Sequence, residues 1–205
     1  MDSRFDLFEW GVRCQPAPGE RDSGDRPLIQ RCRDGALVAA VDGIGHGEQA
    51  AAAASKVIEL LEGNADEPVV ALLRRCHESL RDTRGAVISL ASFDSHEHTM
   101  TWAGVGNIEG LLLRANLTAN PRRESLLLRA GVVGRQMPTL AATIVPVLRG
   151  DTLILATDGI ERTFTEAVSM AGSPQAIADR IVATHARGTD DALVIVARYV
   201  VNRVW

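Results

Sequence analysis

Apolar residues recur in strand-length runs along most of the chain. Residues 6–14, 36–41, 86–93, 98–105 and 109–114 are rich in β-formers or alternate between apolar and polar positions, and 139–148, 152–156 and 192–201 continue the pattern. Two regions change period. Residues 48–62 form an Ala-rich run whose apolar positions Ala50, Ala54, Val57, Ile58 and Leu61 share one helical face. Gly63 and Asn64 stop that helix, and Asp66 with Pro68 starts a second one carrying Leu72, Leu73, Cys76 and Leu80. Near the C-terminus, Ser173 as N-cap and Pro174 in the first turn open a helix with Ile177 and Ile181 inward and Gly188 placed to close it. Residues 15–25 and 117–124 read as loops. The order is strands, two helices, a long run of strands, helix, and a last strand. A parallel doubly wound sheet would alternate strand and helix. The expectation is therefore an α+β fold with largely antiparallel sheets and helices segregated onto their faces. Two sheets sandwiched between helix layers satisfy it.

Composition narrows the class. Of 205 residues, 46% are hydrophobic and 23% charged, the balance of a globular chain and not of a disordered one. No repeat, low-complexity tract or long linker divides it, so residues 1–205 are expected to form a single domain. A net charge of −4 argues against a general electrostatic grip on nucleic acid or an anionic membrane. Lys56 is the only lysine, so a side-chain phosphate site on this surface would use arginine forks. The segment from Met1 to Asp6 carries charge where a signal peptide needs an apolar stretch, and runs such as 37–41 and 50–54 are far shorter than a membrane span. Cys14, Cys32 and Cys76 have no C-x-x-C spacing and cannot all pair. They read as reduced, mostly buried thiols of a cytoplasmic protein.

Carboxylates collect at strand ends. The apolar run 38–41 leads into Asp42-Gly43, and 153–157 leads into Asp158-Gly159. Asp190-Asp191 immediately precedes the run 193–196, and Asp25 ends Asp22-Ser23-Gly24-Asp25 just before another extended segment. Taken singly, each is explained by turn chemistry. Converged, carboxylates about 4 Å apart would repel by roughly 4 kcal/mol per pair at an effective dielectric near 20. Such a cluster persists at neutral pH by taking up protons or by holding cations, and all-oxygen donors select Mg²⁺ or Mn²⁺ over zinc. Gly43, without a side chain, would let its carbonyl turn in as a further ligand. Rival chemistries fit less well. The stretch from Asp42 to Gly47 is G-x-G-x-G, with Glu48 where a dinucleotide fingerprint wants glycine. There is no G-x-S-x-G, and no cysteine has a nucleophile motif around it. Of five histidines, His46 alone lies beside the acidic residues. Turn packing and a contact to substrate or to a metal-bound water are both open for it.

Asp42-Gly43-Ile44-Gly45-His46-Gly47, Thr157-Asp158-Gly159 and Asp190-Asp191, with Ser23-Gly24-Asp25 ahead of them, resemble the acidic motifs of the PPM, or type 2C, metal-dependent Ser/Thr phosphatases. The bacterial branch containing SpoIIE and RsbU is nearest in kind. Residues 76–80, Arg84-Gly85-Ala86 and Gly104-Val105-Gly106-Asn107 keep the same order, and the resemblance runs from about residue 10 to about residue 200. It implies a four-layer α-β-β-α sandwich with two Mn²⁺ or Mg²⁺ ions in a cleft at one edge. Asp42 would bridge both ions, Gly43 would lend its carbonyl, Asp158 and Asp190 would hold one ion, and Asp25 would support the other, directly or through water. These four aspartates would carry catalysis, with Asp190 preferred to Asp191 as the first acid of its pair. Two departures stand out: Ile44 occupies the place of a histidine that larger members have after Asp-Gly, and the N-terminal phosphate-binding arginine has no secure match, with Arg13, Arg21 and Arg26 as candidates.

The activity implied is hydrolysis of phosphoserine or phosphothreonine on a protein without a phosphoenzyme. Alternatives are a non-catalytic phosphoprotein-binding relative and a small-molecule metal-dependent phosphohydrolase. With catalytic strands starting so near Met1, no room for a sensor is expected. That suits a free-standing feedback phosphatase of a bacterial stress response, acting on phosphorylated STAS-domain stressosome proteins of the RsbS and RsbR type. A monomer is the expected state.

Overall fold

The central strands of both sheets are apolar over most of their length because both of their faces are covered. In the computed structural model, which describes residues 4, 5 and 7–201, four strands come first: β1 (Arg4–Phe5), β2 (Phe8–Gln15), β3 (Asp25–Arg31) and β4 (Gly35–Gly43). Helices α1 (Glu48–Gly63) and α2 (Val69–Ser79) follow. Next come β5 (Ala86–Asp94), β6 (Thr99–Val105), β7 (Glu109–Leu113), β8 (Arg123–Ser125), β9 (Thr143–Pro146) and β10 (Thr152–Ala156). The short α3 (Phe164–Ala167), then α4 (Pro174–His185) and β11 (Ala192–Tyr199), complete the order. One sheet runs β1-β2-β11-β10-β7-β8 and the other β3-β4-β5-β6-β9, with every pairing antiparallel.

Period-2 geometry divides each strand between two cores. Ala36, Val38 and Ala40 of β4 join Leu153 and Leu155 of β10 and Leu193 and Ile195 of β11 in a core between the sheets. The alternate residues of β4, Leu37, Ala39 and Val41, meet Ala54, Val57 and Leu61 of α1 and Leu72, Leu73 and Cys76 of α2. Ile154 of β10 and Val194 and Val196 of β11 meet Ile177, Ala178, Ile181 and Val182 of α4. Three apolar layers between four layers of backbone make the α-β-β-α sandwich. Each fully buried Leu, Ile or Val contributes roughly 1.5–3 kcal/mol of transfer free energy.

Several boundaries differ from the sequence reading. Asp6, the expected start of the first long strand, lies outside the described residues; β2 begins at Phe8. The last strand stops at Tyr199 instead of 201. The predicted strand over 139–148 contracts to β9, an edge strand in which Val145 alone is buried, and residues 139–142 have no partner strand among the described residues. The loop over 117–124 hides β8, whose Arg-Glu-Ser sequence carries no apolar signal and which forms through backbone pairing with β7. Ser173 does cap α4, its Oγ accepting from the Ala176 N–H at 3.2 Å. Gly188 does not close that helix, which ends at His185 with Ala186 as its C-cap. All three cysteines are free, but only Cys76 is buried, where burial pushes its thiol up to about 12; Cys14 and Cys32 are partly exposed. Among the described residues no helix is long and apolar enough to cross a membrane.

Candidate metal centre

Antiparallel register brings the first two acids together. Pairing of β3 with β4 sets Asp25 directly across from Asp42 at one end of their sheet. At the matching end of the other sheet, β10 runs out at Ala156 into Thr157 and Asp158, beside the start of β11 just after Asp190 and Asp191. One hydroxyl ties the sheets together. Thr157 Oγ1 donates to Asp25 Oδ2 at 2.7 Å and accepts from the Leu193 N–H at 2.8 Å.

Each remaining acid has its own setting. Asp158 is exposed, with Oδ2 accepting from Asn107 Nδ2 at 2.7 Å, while its carbonyl accepts from Arg187 Nε at 2.8 Å. Asp190 is exposed and caps the Asp191 N–H at 2.9 Å. Asp191 is buried, and both its oxygens are taken: Oδ1 accepts from Ala17 N–H at 2.8 Å and Oδ2 from Gly24 N–H at 2.7 Å. It therefore anchors the loop leading to Asp25.

The charge balance is unfavourable as it stands. Burial pushes Asp42 up to about 8, and the carboxylates of Asp25, Asp158, Asp190 and Asp191 push in the same direction. Burial likewise raises Asp25 to about 7; the Thr157 hydrogen bond opposes this, and Asp191, Asp158 and Asp190 add to it. The charged groups acting most strongly on each are other aspartates. Among the described residues no three His, Cys, Asp or Glu side chains are already arranged to hold one ion. The donor chemistry nonetheless fits a hard divalent cation, which would replace protons on crowded oxygens and end the repulsion.

Two glycines have a steric reason to be here. A Cβ on Gly43 would stand 2.2 Å from the Ala50 carbonyl oxygen, so its absence lets the first turn of α1 close over the Asp42 turn. This is a second reason for the glycine beside the expected one, a carbonyl freed to turn. A Cβ on Gly159 would stand 1.9 Å from the Asp191 carbonyl oxygen, which draws the two acidic turns together.

His46 is exposed, and its Nδ1 lies 2.9 Å from Glu20 Oε1, within hydrogen-bond distance across the turn. Ile44, in the place of the family histidine, packs partly buried against the core between the sheets. Of the three arginine candidates, Arg26 spends its guanidinium on the carbonyls of Ser23 and Asp25, and Arg13 and Arg21 are exposed. Sequence reasoning missed Thr157 and Asn107 as supports of the acids, and missed the anchoring role of Asp191. Thr157 carried a legible signal, a hydroxyl at the end of an otherwise apolar buried strand, where a buried polar group needs a partner.

The family model for stage II sporulation protein E (SpoIIE) matches residues 33–200, and the chain belongs to that family. The match includes Asp42, Gly43, Asp158 and Asp190, and begins after Asp25. Phosphoserine phosphatase RsbX of Bacillus subtilis (strain 168) is 30% identical over 95 residues, 46% of this chain and 47% of that protein. The alignment thus spans about half the length of the curated relative. Among solved structures, a chain described as "The bacterial stressosome: a modular system that has been adapted to control secondary messenger signaling" is 30% identical, with a TM-score of 0.85 over 93% of this chain and 99% of its own. RsbX in complex with magnesium has the same fold at 21% identity, with a TM-score of 0.83 over 96% of this chain and 97% of its own.

Proposed function

We propose that this chain is a metal-dependent protein-serine/threonine phosphatase that removes phosphate from STAS-domain stressosome proteins of the RsbS and RsbR type, as a feedback regulator of a bacterial stress response. The observation that carries the reading is Asp25 facing Asp42 across two strands, both pushed towards neutrality by burial and by Asp158 and Asp190. Membership of the SpoIIE family and likeness to a named phosphoserine phosphatase support it. The likeness to a stressosome chain supports the substrate class.

In this reading Asp42 would help to hold both Mn²⁺ or Mg²⁺ ions, Gly43 would lend its carbonyl, Asp158 and Asp190 would help to hold one ion and Asp25 the other. Such ions supply Lewis acidity for phosphoryl transfer to water and offset charge on the phosphoryl oxygens. The protein's own task is positioning. Thr157 fixes the rotamer of Asp25, Asn107 that of Asp158, and Asp191 holds the loop that carries Asp25. The test is phosphate release from an aryl phosphate and from a phosphorylated STAS-domain protein, with Mn²⁺ and with chelator. Release from both in Mn²⁺, abolished by chelator, is expected. Release from the aryl phosphate alone overturns the substrate, and release from neither overturns the activity.

A further inference from the structure

Beside the acidic centre the surface changes sign. A cavity of about 460 Å³ is lined by Gln49, Ala52, Ala53 and Lys56 of α1, by Asp82, Thr83 and Arg84 after α2, and by Arg135. It gathers the chain's single lysine and two arginines against one carboxylate, on a protein of net charge −4. Lys56 Nζ donates to the Ser79 carbonyl, which holds the ammonium across the groove between the two helices. Among the described residues neither the Arg84 nor the Arg135 guanidinium has a hydrogen bond or ion pair, and both residues are exposed.

The groove also borders the acidic centre. Arg84 leans over the turn that follows Asp42-Gly43: a Cβ on Gly45 would lie 2.8 Å from Arg84 Nη1. The Ile44 N–H donates to the Gly85 carbonyl at 3.0 Å, which ties the Arg84 segment to that turn. Gln49 and Lys56 lie on α1 with a separation of about 10 Å along the helix axis, the reach of about three extended residues.

From this juxtaposition we propose that Lys56, Arg84 and Arg135 form a subsite for acidic side chains flanking the phosphorylated residue of the substrate. The inference rests on the phosphatase reading for the position of the phosphoryl group. A carboxylate suits the groove because two guanidiniums and an ammonium there have no carboxylate ion-pair partner among the described residues, and because a substrate lying across an acidic centre needs a cationic border to be held against the protein's own charge. Substrate choice then has two parts. The acidic centre takes the phosphoryl group, and the groove scores what lies beside it.

The test uses the full chain with Mn²⁺ and two fluorescent peptides carrying the hydrolysis-resistant phosphonate analogue of phosphoserine, one flanked by glutamates and one by glutamines. Fluorescence anisotropy should show the glutamate peptide binding about tenfold tighter at low salt, with the preference shrinking as salt rises. In Lys56→Gln/Arg135→Gln the ratio should fall to about one. In the charge-conserving Lys56→Arg/Arg135→Lys it should persist. Both variants alter exposed side chains, and their melting temperatures check the fold. Equal binding of the two peptides by the wild type, binding of neither, or a preference that survives Lys56→Gln/Arg135→Gln overturns the subsite. Hydrolysis of an aryl phosphate in Mn²⁺ is scored separately. A chain that keeps the preference and lacks hydrolysis loses the proposed activity and keeps the groove.

Discussion

Asp190 and Asp191 show how far apart two identical neighbours can be in role. The exposed Asp190 makes one local hydrogen bond, while the buried Asp191 receives the N–H groups of Ala17 and Gly24 on its two oxygens. An asparagine has a single acceptor oxygen, so Asp191→Asn must leave one of those donors facing an amide NH₂. Loss of a buried charge-assisted bond should cost about 1–3 kcal/mol, several degrees in melting temperature for a chain of this size. Asp190→Asn should leave the stability of the chelated protein within about 0.5 kcal/mol of wild type, as exposed substitutions do, yet abolish Mn²⁺-dependent phosphate release. Calorimetry and a phosphate assay on the pair decide it; the reverse pattern moves the ligand assignment on by one residue. Asp158→Asn belongs with Asp190→Asn and should keep less than about a tenth of wild-type turnover at saturating Mn²⁺. Greater retention would remove Asp158 from the ligand set.

At the scale of elements, the acidic centre is where strand ends of two sheets and the first turn of α1 meet, and the glycines set how closely. Gly43→Ala would put a methyl against the Ala50 carbonyl at a distance no real Cβ shows, so α1 must shift or the turn must open. Overpacking of this kind should cost about 1–3 kcal/mol in the chelated protein and should lower turnover in a way that more Mn²⁺ does not restore. A Gly43→Ala protein with wild-type melting temperature and turnover would show that the contact relaxes freely. The same elements explain what was legible beforehand. Strands β4, β10 and β11 announce themselves because two covered faces make an unbroken apolar run, and their ends are the places left for acids. Edges announce little: β8 pairs without any apolar residue, and β9 buries only Val145. The need of Thr157 for a partner was legible, but which partners Thr157 and Asn107 take was not, because Asp25 and Asp158 are 132 and 51 residues away along the chain. Such pairings follow from the register of two sheets, which no local pattern encodes.

For the whole molecule, the acidic centre makes stability depend on pH and metal together. Asp42 at about 8 and Asp25 at about 7 sit above the 3.8 expected of the unfolded chain, so between those values the folded protein holds protons that the unfolded one has released. Stability from these groups is therefore fully present below pH 3.8 and is lost as pH rises through 7 and 8. Metal reverses the slope. Ions bind the deprotonated carboxylates of the folded state alone, adding about 2.7 kcal/mol at one hundred times the dissociation constant, and that affinity grows as protons leave. The rise in melting temperature on adding millimolar Mn²⁺ should therefore be small at pH 5 and several degrees at pH 8. Asp42→Asn isolates the cause from the other carboxylates of the chain. Chelated at pH 8, it should melt no lower than chelated wild type, because one repelling charge has gone, and its Mn²⁺-dependent rise should shrink. Thermal scans of both proteins from pH 5 to pH 8, with and without chelator, make the comparison. A chelated Asp42→Asn that melts well below chelated wild type would make Asp42 a structural turn residue, and a Mn²⁺ increment independent of pH would mean that the ions are held elsewhere.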